Sequence, residues 1–222
     1  MSVNNPAASC EYPTISNCMM LPTLYSFRRC PYAIRARMAL KHAGIETELR
    51  EVSLKDKPPA MLRVSSKQTV PVLVTPDGTI IDESVDIMFW ALQKSDDNEW
   101  LEQKERSARL IEKNDFEFKP WLDKYKYSIG HTEHSKSYYR GKASKFLENL
   151  NHRLSNHRYL IDQQIRVADI AIFPFVRQFA FVDKVWFDEA PYPNLKIWLD
   201  YWLKSELFNS VMRKHPIWQE SS

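Results

Sequence analysis

Between Leu24 and Gly44 the sequence reads "LYSFRRCPYAIRARMALKHAG", and this stretch restricts the fold more than any other. "TLYSF" has the composition of a short strand. Pro31 suits the first turn of a helix, where its missing N–H would be unpaired in any case. Ala33, Ala36, Leu40 and Ala43 then recur at helical spacing until Gly44 supplies a C-terminal cap. Strand, sharp turn and helix follow one another directly, and Cys30 stands at the turn.

That position has a chemical consequence. Unpaired N–H groups and the positive end of the helix dipole favour a thiolate at a helix start, and Arg28 and Arg29 would add positive potential if they turned inward. A pKa lowered from about 8.5 to about 6 would raise the thiolate fraction at pH 7 from roughly 3% to roughly 90%. The alternative is an inert, buried cysteine at a strand end.

Downstream, "ETELREVSL" reads as a second strand and "PPAMLRV" as a short helical turn. "TVPVLVTPDGTIIDES" gives two strands joined through the Asp77-Gly78 turn signal, expected to be antiparallel. Ser84 to Lys94 resumes a helical period through Ile87, Trp90, Ala91 and Lys94. The first half is therefore βαβ followed by ββα. From Leu101 onward helical patterns follow one another, with candidates at Arg140 to Leu154, Ala168 to Val182, Pro193 to Leu203 and Ser205 to Lys214. The division expected is a disordered arm over 1–20, an α/β domain over 21–94, a linker over 95–100 and an all-helical domain over 101–222.

With 44% hydrophobic residues in 222, the chain can bury a sizeable core. A net charge of +3 offers no single-sign field for nucleic acid or an anionic membrane. No apolar run has the length of a membrane span and the first residues do not read as a signal peptide, so a cytoplasmic protein is expected. Three cysteines, Cys10, Cys18 and Cys30, argue against a disulfide framework. Only four glycines occur, none paired in a GxG turn, which removes the P-loop and the dinucleotide fingerprint. His131, His134, His152 and His157 lack matching helical spacing and a cysteine partner, so no metal is expected.

"CPYA" after a strand, then "TVPVL", then "IIDES", at these spacings and ahead of an all-helical half, resembles the glutathione transferase superfamily, closest to its cysteine-type omega class and related bacterial enzymes. The resemblance runs from about Leu21 to the C-terminus. It implies a thioredoxin-like N-terminal domain with an all-α C-terminal domain, glutathione as co-substrate, and Cys30 as the catalytic thiol. It further implies that Pro71 is cis, so that the Val70 backbone pairs with the cysteinyl part of glutathione. Glu83 would accept from the γ-glutamyl amino group and Ser84 would hold the carboxylate there, although Ser84 also suits a simple N-cap. Lys57, with Lys55 as a substitute, would reach the glycyl carboxylate. Such proteins usually dimerise, and a homodimer is expected on that ground.

Departures from the pattern matter as well. Ala33 stands where dithiol glutaredoxins carry a second cysteine, so thiol exchange would have to finish with glutathione itself. Tyr25 and Ser26 are not expected to activate glutathione. In "RVADIAIFPF" Arg166 replaces the Ser or Thr that usually caps the family's buried helix, and only Asp169 is left to tie down the preceding loop. Phe116, Phe118, Trp121, Tyr125, Tyr138 and Tyr139 fit core better than pocket. The function implied is thiol-disulfide exchange or deglutathionylation on a small electrophilic or disulfide acceptor, including dehydroascorbate reduction and the reductive removal of glutathione from aromatic adducts. The alternative is a non-catalytic binding or regulatory protein on the same fold; membrane insertion is disfavoured by Arg35, Arg37 and Lys41 in the first helix.

Overall fold

A computed structural model describes residues 20–95, 99–130 and 133–220. The expectations for the N-terminal arm, for Cys10 and Cys18 and for His131 fall outside these residues, apart from Met20 at the arm's end.

Four short strands form a mixed sheet in the order β2-β1-β3-β4: β1 (Thr23–Ser26), β2 (Glu48–Glu51), β3 (Val72–Val74) and β4 (Ile80–Ile81). β1 pairs parallel with β2, Tyr25 opposite Arg50, and antiparallel with β3, Tyr25 opposite Val72. β3 and β4 are antiparallel, and Gly78 at φ 84° supplies the left-handed turn residue between them. β2 is shorter than the expected strand: after Val52, whose N–H still donates to Ser26 C=O at 2.8 Å, the chain leaves the sheet and bends at Leu54, Lys55 and Asp56.

The parallel pair is bridged by α1 (Pro31–His42), and α2 (Pro59–Val64) and α3 (Ser84–Leu92) complete this half. Ala33, Ala36 and Ala39 on α1 are fully buried, and their small side chains admit the close approach of α3 and of two later helices, α7 (Val167–Ala180) and α10 (Glu206–Val211). α1 also buries two arginines, Arg35 at 1% exposure and Arg37 at 6%. Both are fully engaged by partners described below, which is the condition for burying a guanidinium.

The second half consists of α4 (Lys104–Lys113), α5 (Lys119–Lys126), α6 (Lys136–Asn156), α7, α8 (Lys184–Glu189), α9 (Pro193–Lys204) and α10. α6 begins four residues before the expected Arg140, because Ser135 caps it by accepting the Tyr138 N–H at 3.2 Å. A π-helical turn, Asn114–Phe118, joins α4 to α5 and has no sequence signature. Among the described residues no helix is long and apolar enough to cross a membrane.

α7 is buried on most sides, and its start depends on Asp169. Asp169 is inaccessible and accepts from the Arg166 N–H at 3.0 Å, the Leu160 N–H at 3.0 Å and the Trp198 indole N–H at 2.9 Å. Asp169 thus ties down the preceding loop. A guanidinium cannot accept the reciprocal bond, but Arg166 compensates by donating to Asp162 at 2.9 Å and pairing with Glu102 at 2.8 Å.

The chain end returns to the first domain. Ile217 bridges Glu51 in parallel, the Trp218 N–H donates to Glu51 C=O at 2.8 Å, and the Trp218 ring covers the Arg50 guanidinium at 4.3 Å. Residues past α10 therefore cover the outer edge of β2, a role nothing in their pattern announces.

Candidate functional site

Cys30 is the N-cap residue of α1: its C=O accepts the Ile34 N–H at 2.9 Å, and its own N–H donates to Phe27 C=O at 3.0 Å, closing the turn from β1. The side chain lies half-buried on the floor of a cleft of about 850 Å³ between the two halves. Lys57, Val70, Pro71, Glu83 and Ser84 line the same cleft, whereas Lys55, the expected substitute for Lys57, does not. The Cys30 Sγ lies 3.7 Å from Val70 C=O, the geometry of a weak S–H donor to a carbonyl.

Elements of the first domain converge to hold these groups. The Val70–Pro71 peptide bond is cis, directly ahead of β3, and Gln68 two residues earlier takes a left-handed backbone at φ 56° that non-glycine residues adopt rarely. Glu83 is the N-cap of α3 and Ser84 its first residue, so the helix start offers first-turn N–H groups with no intrahelical partner. Ser84 is therefore not the cap. Its hydroxyl oxygen instead accepts from Arg35 Nε at 3.0 Å, which leaves its proton free to be donated elsewhere.

Arg35 extends this contact into the second half. Its two terminal nitrogens donate to the two carboxylate oxygens of Asp115 at 2.9 and 2.7 Å, and its guanidinium lies over Tyr32 and Phe175 at 5.0 and 5.1 Å. The π-helical turn is what brings Asp115 to the cleft. Sequence reasoning missed Asp115, because no helical template places a π turn, and it missed Lys67, which donates to Glu83 at 2.5 Å and Asp82 at 3.0 Å.

The electrostatics of Cys30 differ from expectation in two respects. Burial pushes the thiol up from its ordinary value, and this outweighs the lowering by the Tyr32 and Ala33 N–H groups and by two cations. Those cations are Arg37 and Lys119, not Arg28 and Arg29. The exposed Arg29 side chain lies over the Phe27 ring at 5.9 Å, while Arg37 donates to Arg28 C=O at 2.8 Å, to the Ser26 hydroxyl and to Val211 C=O at 3.1 Å. Arg37 so braces the turn that carries Cys30. Burial and then the Asp115 charge push the Tyr32 phenol to about 12, so it is a neutral hydrogen-bonding group at pH 7.

Of the aromatic residues, Phe118, Tyr125 and Tyr139 are core, whereas Phe116 is 76% exposed and lines the cleft. Among the described residues no three His, Cys, Asp or Glu side chains are grouped as a metal site would need.

Comparison with known proteins agrees with this architecture. The family models "Glutathione S-transferase, N-terminal domain" and "Glutathione S-transferase, C-terminal domain" match residues 24–99 and 99–206. Glutathione S-transferase omega-1 of Rattus norvegicus is 42% identical over 62 residues, which is 28% of this chain and 26% of the relative. The chain thus matches only about a quarter of that relative's length. A probable glutathione S-transferase, parA, of Nicotiana tabacum is 26% identical over 210 residues, covering 88% of this chain and 91% of the relative. A glutathione transferase family member of Pseudomonas fluorescens, solved with two glutathione bound, superposes with a TM-score of 0.77 at 19% identity over 89% of this chain and 95% of its own. A Phanerochaete chrysosporium glutathione transferase, in complex with oxidised glutathione, gives 0.76 at 20% identity over 86% and 94%. Two adjoining domain models that run unbroken from residue 24 to residue 206, over a thioredoxin-like sheet followed by a helical half, place this chain in the glutathione S-transferase family.

Proposed function

We propose that this chain is a glutathione-dependent thiol transferase whose reacting group is the Cys30 thiol. The observation that carries the reading is the meeting of Cys30 with Lys57, Val70, Glu83 and Ser84 in one cleft. Glutathione presents two carboxylates, one ammonium and a peptide backbone. The cleft offers a cation in Lys57, an anion in Glu83, a main chain beside a cis-proline at Val70, and a hydroxyl at a helix start in Ser84. Because Arg35 already donates to the Ser84 oxygen, the Ser84 proton is directed to an acceptor such as a carboxylate. Glu83 would exchange the Lys67 ammonium for the ligand's own.

The reaction then runs through Cys30. Its proton leaves to solvent, and the thiolate is stabilised by the Tyr32 and Ala33 N–H groups, Arg37 and Lys119. Thiolate attack on the glutathionyl sulfur of a mixed disulfide forms a Cys30–glutathione disulfide and releases the other sulfur as thiolate. With Ala33 in place of a second cysteine, a glutathione thiolate attacks next, giving oxidised glutathione and free Cys30. Small disulfides and glutathionylated proteins are the acceptor classes for this exchange; dehydroascorbate would instead take two electrons and two protons from two glutathione molecules, which leave as oxidised glutathione.

One feature favours a second reading, a non-catalytic binding protein: burial pushes the Cys30 thiol up and so works against its ionisation. Glutathione-dependent reduction of a small mixed disulfide, measured for the wild type and Cys30→Ser, separates the two. Turnover that disappears in the variant supports the transferase. Glutathione binding without turnover in either protein supports the binding module.

A further inference from the structure

Cys30 lines a second cavity, of about 410 Å³, on its other flank. Cys30, Tyr32 and Leu54 border both cavities, so the two are contiguous at the thiol. Their charges are opposite. The larger cleft carries Asp82, Glu83, Asp86, Glu112 and Asp115 against Arg35 and Lys57. The smaller carries Arg29, Lys119 and Lys126 against Asp123 alone.

Asp123 is already committed, since Lys119 pairs with it one helical turn away. Arg29 and Lys126 have no carboxylate partner among the described residues. Each instead rests on an aromatic face, Arg29 on Phe27 at 5.9 Å and Lys126 on Tyr127 at 4.7 Å. Gln178 lines the same cavity, and its side-chain oxygen is buried without a partner.

Resting on the reading of Cys30 as the reacting thiol with its acceptor in this adjoining cavity, we propose that Arg29 and Lys126 make the site select an acceptor whose aromatic body carries a negative charge. Phe27, Tyr32 and Tyr127 supply aromatic surface of the size of one substituted ring. Arg29 and Lys126 supply positive charge without a carboxylate partner, whereas in the larger cleft Arg35 is paired with Asp115 and Lys57 is assigned to a carboxylate of glutathione. The acceptor is thereby oriented, with its glutathionyl half in the larger cleft and its anionic aryl half in the smaller.

For a mixed disulfide of glutathione with an aryl thiol, the Cys30 thiolate forms a bond to the glutathionyl sulfur. The bond to the aryl sulfur breaks, and the aryl thiolate departs with the electron pair beside Lys119 and Lys126. One glutathione then releases Cys30, so that one mixed disulfide and one glutathione give oxidised glutathione and the aryl thiol.

Two probes with leaving thiols of similar acidity isolate the charge: the glutathione mixed disulfides of 2-nitro-5-thiobenzoate, which carries a carboxylate, and of 4-nitrobenzenethiol, which does not. The wild type is expected to show a higher kcat/KM for the first, a preference that falls with added salt. Arg29→Gln with Lys126→Gln, both at exposed positions, should lower kcat/KM for the anionic probe about fivefold to tenfold and leave the neutral one within about twofold. Equal rates for the two probes in the wild type, or equal losses in the variant, would overturn the proposal while leaving the transferase reading intact. If neither probe turns over, the transferase reading fails, and calorimetry with unreactive 2-nitro-5-(methylthio)benzoate then decides the cavity. Binding lost in the double variant supports it, and binding absent or unchanged overturns it.

Discussion

Replacing Arg35 by methionine removes the group that joins the two halves of the molecule across the cleft. Its side chain is 2% exposed and that of Asp115 15%, and the pair exchanges two charge-assisted hydrogen bonds of 2.9 and 2.7 Å. In Arg35→Met the Asp115 carboxylate keeps, among the described residues, the Asn114 amide at 2.8 Å, and the Ser84 hydroxyl loses the Arg35 donor. Removing one partner of a buried pair costs about 3–5 kcal/mol, and the partial exposure of Asp115 puts this case near the lower end, about 3 kcal/mol. A loss of that size is a large share of a total of about 5–15 kcal/mol and lowers Tm by about 6–12 °C. Arg35→Met with Asp115→Leu removes both charges and should recover stability to within about 1 kcal/mol of the wild type. Urea unfolding followed by tryptophan fluorescence and far-ultraviolet circular dichroism, with coincident transitions, measures the cycle. The reasoning is refuted if Arg35→Met costs less than about 1 kcal/mol, or if the double variant is no more stable than the single.

Three further outcomes follow from the site and the core. Because burial raises the Cys30 thiol, its alkylation rate should keep climbing past pH 9, and Lys119→Met, which removes a stabilising cation, should move the profile higher; a plateau by pH 7 would contradict this. Glu83→Gln should raise the KM for glutathione about tenfold through loss of a charged partner, whereas Lys67→Gln, which only vacates Glu83, should not raise it; equal effects would remove Glu83 from the binding set. Asp169, raised by burial to about 6 in the native state against about 3.9 unfolded, holds its proton more tightly when folded, so its contribution is most favourable below pH 4 and is lost as pH rises through 6. The stability of the wild type relative to Asp169→Asn should therefore fall by roughly 2 kcal/mol between pH 4 and pH 7 in urea titrations, and a flat or rising difference would refute the assignment.

Much of the site was legible because its motifs are local. Pro31 after Cys30 marks a helix start, and the Asp77-Gly78 signal brings the strands flanking it together, so the strand–turn–helix and the antiparallel pair followed from short-range rules. Lys57, Val70, Glu83 and Ser84 were named from motif resemblance and are grouped around Cys30 by the sheet. What escaped notice depends on long-range partners. The burial of Arg35 and Arg37 has no local signal: Ser84, Asp115 and the Val211 carbonyl come to them from distant parts of the chain, and the Arg28 carbonyl from the turn before the helix. The Asn114–Phe118 π turn and the pairing of Ile217 with Glu51 leave no periodic trace either.

The protonation of Cys30 is where the two levels of description part. By itself the sequence determined that a thiol would stand at a helix start between an apolar strand and an apolar-faced helix, and it fixed the class of fold, because capping, periodicity and turn chemistry act over a few residues. Only the tertiary structure decided how that thiol is solvated, which cations face it, and that a second, basic cavity adjoins it. Those quantities are set by burial and by charges brought together across the fold, and desolvation of an ionised group depends on everything packed around it rather than on its neighbours in the chain.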